Sequence, residues 1–523
     1  MNFRQIDTDA SSGTFSKLET LSKTAFETLS FTFTRRHLEH LASIAHDSTN
    51  SPNDRLVASF LLKNAVTAAH GILPLCQDTG TAQIFAWKDE GVLTGCDDTA
   101  ALASGARKAW KDRNLRYSTT VPASLFDESD PLDNSPAQIC IQHSFPSGSD
   151  AAYRFLFCAK GGGSSNKTSF LQGTKALLNE QAFTAYLEKE IGGLGTAACP
   201  PYSIAVVVGG TSPEQNLTAL KLATAGYFDQ TLNGWDYRIF GAAPLRIPEW
   251  EERVISIAEK TGLGAQFGGR ALAVSATVLR LPRHGASCPV SIGVSCSAHR
   301  NLHGYIDSSG VWLEETETNP LAVPGVSEAV SLSCAGTVET IRIDLAEGPE
   351  AVQKTLDGLK PGTPVRLSGR VLVARDAAHA RWRAMLARNE PLPAYVPQYP
   401  ILYAGPAKTP EGLATGSFGP TTAGRMDEYA EDLMSRGAAW LTIAKGNRSL
   451  QWRDACKKWK ATYLGTIGGA AAIIAEKHVL DSTVLDYPEL GMEAVRLVTL
   501  ADLPCFVLIN NRGEDFYAKE GNK

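Results

Sequence analysis

The chain has 523 residues, 43% of them hydrophobic and 20% charged, with a formal net charge of -5 and a pI of about 6.1. That length exceeds one ordinary core and points to two or more domains. The charge balance gives no reason to expect nucleic acid or an anionic membrane as partner, and no apolar run is long enough to span a bilayer.

In chain order, residues 1–30 carry one arginine, Arg4, together with Asp7, Asp9, Glu19 and Glu27. That is neither an apolar secretory signal nor an acid-poor, Arg-rich transit peptide, so the expected location is cytoplasmic. Apolar spacing predicts a helix within 18–45 and another over 54–69, with Leu56, Phe60, Leu61, Ala65 and Val66 on one side. The passage from Gly71 to Gly80 is too rich in turn residues to stay helical. Ile204 to Val208 reads as a buried strand. Ser212, Pro213 and Gln215 then read as N-cap, first helical residue and capping-box partner of a helix that stops at Gly226.

A second part begins near Thr340, where Ile341, Ile343 and Leu345 alternate. Val365 to Ala374 is a predicted strand running into Arg375. A long irregular loop, 389–420, is the kind more often functional than idle. Thr421 and Thr422 precede a helix predicted through Met426, Ala430, Leu433 and Met434, and Lys445 ends a strand over 440–444. Residues 506–517 suggest a terminal hairpin. The strand–turn–helix order is that of an α/β protein, divided into residues 1–331, a linker 332–339, and residues 340–523.

Two glycine-rich segments invite phosphate or dinucleotide readings. Residues 160–167 lack the phosphate-loop spacing, and residues 262–269 follow a helix rather than a strand. Both are read as tight turns where backbone approaches something closely, here a ligand carboxylate held by backbone N–H groups.

Ten cysteines without an export signal argue against disulfides. Three lie in loop-like surroundings: Cys76 in PLCQDTG (74–80), Cys199 in GLGTAACPP (193–201) and Cys296 in VSCSAHR (294–300). No C-x-x-C is present, and their spacing alone favours three unrelated loop cysteines. The words around them carry more. Together with KGGGSSNK (160–167), ARDAAH (374–379), GPTTAGRM (419–426), LTIAKG (441–446), YLGTIGGAA (463–471) and YPELGMEA (487–494), they make the chain resemble the class I fumarases over nearly its whole length. These are single-chain iron–sulfur fumarate hydratases. The tartrate dehydratases look like split relatives carrying the two modules as separate subunits.

The resemblance implies an α/β fold with a larger N-terminal mixed α/β cluster-binding domain and a smaller C-terminal swivelling β/β/α-type domain, assembled as a homodimer. It implies that Cys76, Cys199 and Cys296 hold a [4Fe-4S] cluster whose fourth iron stays open as a Lewis acid. A small dicarboxylic acid, fumarate or malate, is the implied substrate. Abstracting a proton beside a carboxylate builds negative charge that demands nearby cations. The resemblance supplies them as Arg116, Arg375, Arg425 and Lys445, with Gln77, Gly163, His284 and Thr422 as further substrate contacts. Asp78 is the expected acid and Thr421 the expected base, both also touching substrate. For the two threonines, simple helix capping is the alternative. Mesaconate or tartrate as substrate, or a non-catalytic iron- or redox-sensing role for the cluster, are the competing functions.

Overall fold

The computed structural model describes residues 1–8, 13–144, 151–229, 232, 235–332 and 340–518, so the expected linker lies almost wholly outside the described residues. The predicted 18–45 helix is two helices, Thr14–Phe31 and Arg35–His46. The break has tertiary causes. The Thr32 hydroxyl bonds Thr316 at 2.8 Å, and the Phe33 carbonyl accepts the Glu317 N–H at 2.9 Å. The backbone there finds a partner outside the helix, and β-branched Thr32 and Thr34 give up little helix propensity. The helix expected over 54–69 begins two residues earlier, as Pro52–Ala68, with Ser51 accepting the Asp54 N–H and Pro52 at the first turn.

The N-terminal part is built on two sheets. One has six strands, in the order Phe3–Gln5, Gly310–Glu314, Asn301–Asp307, Tyr153–Lys160, Thr81–Asp89, Gln138–Ser144. Ile84 and Ala86 face helices Thr14–Phe31 and Asp98–Asp112, while Phe85 and Trp87 face the second sheet. This is the period-two alternation of a strand covered on both sides. The second sheet has five strands centred on Tyr202–Gly210, which pairs with Cys288–Ser295 on one side and Ala273–Arg283 on the other. Its far face is covered by helices Glu180–Leu194 and Pro248–Lys260. The Ser212 cap forms, its hydroxyl accepting the Gln215 N–H at 3.2 Å. Reciprocally, the Gln215 side-chain oxygen accepts the Thr211 N–H at 2.8 Å.

The C-terminal part is a closed barrel. Strand Pro364–Val373 pairs with Ile401–Leu402, then Leu441–Ala444, Thr462–Thr466 and Val495–Ile509, and the last returns to Pro364–Val373. Closure pairs these five strands on both sides, and Ile341–Asp344 and Val479–Asp486 flank the barrel as outer strands. The terminal hairpin is shorter than expected: Val495–Ile509 is 15 residues long with neighbours on both sides, and among the described residues the returning segment meets it through one bridge, Ile509 to Asp515, and the Phe516 N–H on the Leu508 carbonyl. One apolar cluster holds the two parts together, running from Leu38, Val57 and Leu62 to Val371, Ile443 and Val507. No described helix is long and apolar enough to cross a membrane.

Candidate active site

Cys76, Cys199 and Cys296 come from three separate loops at the boundary of the two parts and lie close enough to influence one another's ionisation. Cys199 has a positive φ of 62°, a conformation costly for a non-glycine residue. Its carbonyl accepts the Ser297 N–H at 3.0 Å, fastening its loop to that of Cys296. Burial pushes the Cys199 thiol up to about 11, opposed by Lys445, whose Nζ is 2.7 Å from the sulfur. Burial likewise works against the charge on Lys445, but the three sulfurs outweigh it, so the lysine holds its proton more tightly than usual.

Gly468 leaves the room this contact needs. A Cβ there would stand 2.4 Å from the Cys199 sulfur and 2.8 Å from Lys445 Cδ. Gly468→Ala is therefore expected to force Cys199 and Lys445 apart and to lower bound iron at least threefold. Iron per chain after anaerobic reconstitution checks this, and full loading would refute it.

Asp78 faces the same space. One oxygen accepts from Arg116 at 2.9 Å and the other from the Gly162 N–H at 2.9 Å. Burial works against its charge, yet Arg116, Arg300, the Gly162 N–H and Lys445 together hold the carboxyl at about 2. In the chain by itself Asp78 is therefore an ionised carboxylate that accepts hydrogen bonds and fixes Arg116, where a proton-donating acid was expected. The glycine loops are corrected with it. Residues 160–163 wrap the protein's own Asp78, with a Gly161 Cβ falling 2.9 Å from its carboxylate. Residues 264–271 wrap the buried Asp54, which accepts the N–H groups of Ala265, Arg270 and Ala271. Gly163 packs against Ala198, beside Cys199.

The barrel supplies the rest. Arg375 follows strand Pro364–Val373, is buried, and pairs with Glu493. Burial, then Arg116 and Arg425, bring its pKa down to about 9, so the three guanidinium groups share one field. Arg425 is more open and pairs with Asp376 at 3.4 Å. His379, one turn beyond Arg375, lies 2.8 Å from its carbonyl through Nδ1, and burial lowers its pKa to about 4. Unfolding returns it to its ordinary value of 6.5. The associated stability is full above that pH and is lost as pH falls toward 4, by on the order of 3 kcal/mol. His379→Gln should flatten that slope in urea melts across the interval, and an unchanged slope would contradict a neutral buried ring.

Thr421, Thr422 and Lys445 are laced together. The Lys445 N–H donates to the Thr421 carbonyl at 3.2 Å, and the Ala423 N–H to the Lys445 carbonyl at 3.0 Å. The helix predicted after them is a 3-10 segment, Ala423–Tyr429, continued by the short α-helix Ala430–Met434. Asp427 turns inward there to pair with buried Arg448. Thr422 occupies the cap position but makes no side-chain cap bond, and the buried Thr421 hydroxyl has no hydrogen-bond partner among the described residues. The capping alternative is therefore not realised. Gln77 donates to the Pro420 carbonyl at 3.2 Å, joining the Cys76 loop to the threonine loop.

His284 is not brought to this place through its own hydrogen bonds. It is exposed in the turn between strands Ala273–Arg283 and Cys288–Ser295, and bonds the Ala286 N–H within that turn. Two residues were missed. Arg300, 4% exposed, has an Nε without a partner and acts on both Asp78 and Cys76. Its signal was its place inside VSCSAHR. Gln266, with a φ of 143°, donates to the carbonyls of Pro200 and Gly468 and accepts the Gly468 N–H. It clamps the Cys199 loop to the barrel, and nothing in local spacing announces it.

Two buried thiols and one half-buried one, five neighbouring cations, an ion-paired carboxylate and a free hydroxyl suit the binding of a polyanionic ligand beside a sulfur-held metal group. A model described as "Fumarate hydratase (Fumerase)" matches residues 19–304, and one described as "Fumarase C-terminus" matches residues 310–520. "Fumarate hydratase 2" of Leishmania major is 47% identical over 503 residues, 96% of this chain and 86% of that one. "Fumarate hydratase class I, aerobic" of Escherichia coli (strain K12) is 45% identical over 500 residues, 96% of this chain and 89% of that one. A shorter match, 30% identical over 175 residues, takes in 33% of this chain and 90% of a Methanocaldococcus jannaschii protein provisionally named as an L(+)-tartrate dehydratase subunit beta.

Proposed function

The chain belongs to the class I fumarate hydratase family, and from that footing we propose that it is a hydro-lyase interconverting fumarate and (S)-malate. The observation that carries the reading is the meeting of the three cysteine sulfurs with Lys445, beside the Asp78–Arg116 pair and Arg375.

Cys76, Cys199 and Cys296 are the residues that would hold a [4Fe-4S] cluster. Buried thiols whose ionisation burial opposes become stable thiolates when metal takes them. When bound, such a cluster supplies a Lewis acid that polarises the departing hydroxyl.

The chain's own residues do the remainder. Arg116, Arg375 and Arg425, with Gln77 and the Gly163 backbone, cradle the two carboxylates. In the malate-to-fumarate direction, Thr421 Oγ1, as the alkoxide, takes the proton next to one carboxylate, the double bond forms as the carbon–oxygen bond breaks on the neighbouring carbon, and the hydroxide released recovers that proton from Thr421 and leaves as water. Lys445 and the arginines stabilise the charge that builds on the carboxylate meanwhile. Thr422 donates to substrate. Asp78 holds the Arg116 fork in place. His284 joins the site only if a second copy of the chain brings it there, in keeping with a homodimer. The same reading has two modules, 1–331 and 340–523, and a cytoplasmic protein.

The test is anaerobic reconstitution with iron and sulfide, followed by loss of fumarate absorbance. Fumarate should be consumed faster than mesaconate or tartrate. Fully loaded protein that leaves all three acids untouched would end the reading.

A further inference from the structure

A cavity of about 220 Å³ opens beside the cradle, lined among others by Arg116, Tyr117, Asp130, Lys408, Met492 and Arg496. It touches the proposed site at two points. Arg116 is the residue that pairs with Asp78, and Met492 precedes Glu493, the partner of Arg375. Lys408 comes from the long 389–420 loop, whose length the reaction itself does not explain. Its Nζ stands 3.3 Å from the centre of the Tyr117 ring, a contact that holds an ammonium in place without neutralising it. Arg496, near the start of strand Val495–Ile509, has a buried Nε without a hydrogen-bond partner. Among the described residues neither Lys408 nor Arg496 has a carboxylate partner. Asp130 is the opposing charge; it is exposed and accepts the Leu132 N–H at 2.7 Å. Three cations thus face one carboxylate.

The larger cavity of the molecule, about 970 Å³, has no such bias. Its arginines, Arg4, Arg35 and Arg36 among them, are matched by Glu27, Glu39 and Asp229.

We propose that the smaller cavity is a staging site for the dicarboxylate dianion, where Lys408 and Arg496 take its carboxylates before it passes Arg116 into the cradle. The proposal rests on the fumarate reading above. Arg116 already donates to Asp78, the Gly405 carbonyl and Ser118, so it supplies field at the inner wall, while Lys408 and Arg496 keep donors free. A cleft lined by one sign of charge raises the local concentration of its counter-ion and speeds association in a salt-dependent way. Room for about seven waters, at roughly 30 Å³ each, is enough for a four-carbon diacid.

The experiment uses the anaerobically reconstituted holoenzyme, with kcat and KM for fumarate measured from about 0.01 M to about 0.3 M salt, over which the screening length falls from ~30 Å to below ~8 Å. Wild-type kcat/KM should fall steeply with salt. Lys408→Gln and Arg496→Gln should each lower kcat/KM at low salt by about tenfold, mainly through KM, and the double variant should be nearly salt-independent. Lys408→Arg should restore most of the loss. Lys189→Gln, an exposed charge on helix Glu180–Leu194, should behave as wild type. Iron and sulfide per chain separate a loading defect from a binding one. A salt-independent wild type, unaltered kcat/KM in both glutamine variants, or a Lys408→Arg protein no better than Lys408→Gln would each overturn the staging site. A loaded wild type with no hydration of fumarate would overturn the functional reading instead.

Discussion

Cys296→Ser chains are expected to fold but to retain less than about a tenth of wild-type iron and to lose fumarate hydration by roughly a thousandfold or more. The physical reason lies in the donor. A serine hydroxyl is nearly isosteric, but it does not ionise near neutral pH and offers hard oxygen where iron–sulfur chemistry uses thiolate. Folding should survive because Cys296 is half-exposed and the loop is fixed by other bonds, chiefly the Ser297 N–H to the Cys199 carbonyl at 3.0 Å and strand Cys288–Ser295 behind it. Iron, sulfide and low-temperature magnetic spectra of air-free protein measure the first effect, and fumarate absorbance the second. A serine variant with full iron and wild-type turnover would remove Cys296 from the ligand set and take the three-thiol assignment with it.

Thr421→Val should lower kcat by about 10²–10⁴-fold, the range for loss of a positioned acid–base group, while iron content stays at the wild-type level. Valine preserves the shape of the side chain, and the backbone bonds of Thr421, to Tyr403 and Lys445, do not involve the hydroxyl. Since that hydroxyl is buried without a partner, removing it leaves no new unsatisfied group, so stability should hold or rise slightly. Lost turnover with retained stability is the signature of a group kept for chemistry rather than for folding. Thr421→Ser should keep a substantial part of kcat. If the valine protein turns over within about threefold of wild type, the base lies elsewhere and the free hydroxyl has another use.

Features written in a few adjacent residues were legible in advance. Ser212–Pro213 starts its helix where capping chemistry says it should, and the strand leading to Arg375 was visible from its apolar run. The three cysteines and the residues around Thr421 and Lys445 were visible as short words, because each word is a loop conformation set largely by its own glycines and prolines. Misreadings arose where a distant segment supplied the deciding partner. Residues 32–34 leave the helix for Thr316 and Glu317, and the final strand fills both its edges before the chain can turn back. The glycine loops were read as holders of a ligand carboxylate, whereas the carboxylates they hold are the protein's own Asp54 and Asp78.

By itself, then, the amino-acid sequence determined which loops carry sulfur, which strand ends carry cations, and that both α/β parts exist, since periodicity and turn chemistry act over a few residues. Only the tertiary structure decided that Asp78 is an ion-paired acceptor, that Arg300 and Gln266 belong to the site, and that the Thr421 hydroxyl stands free. Those properties come from burial and from contacts between groups such as Gln266 and Gly468, which are remote along the chain and meet only when the barrel closes against the cysteine loops.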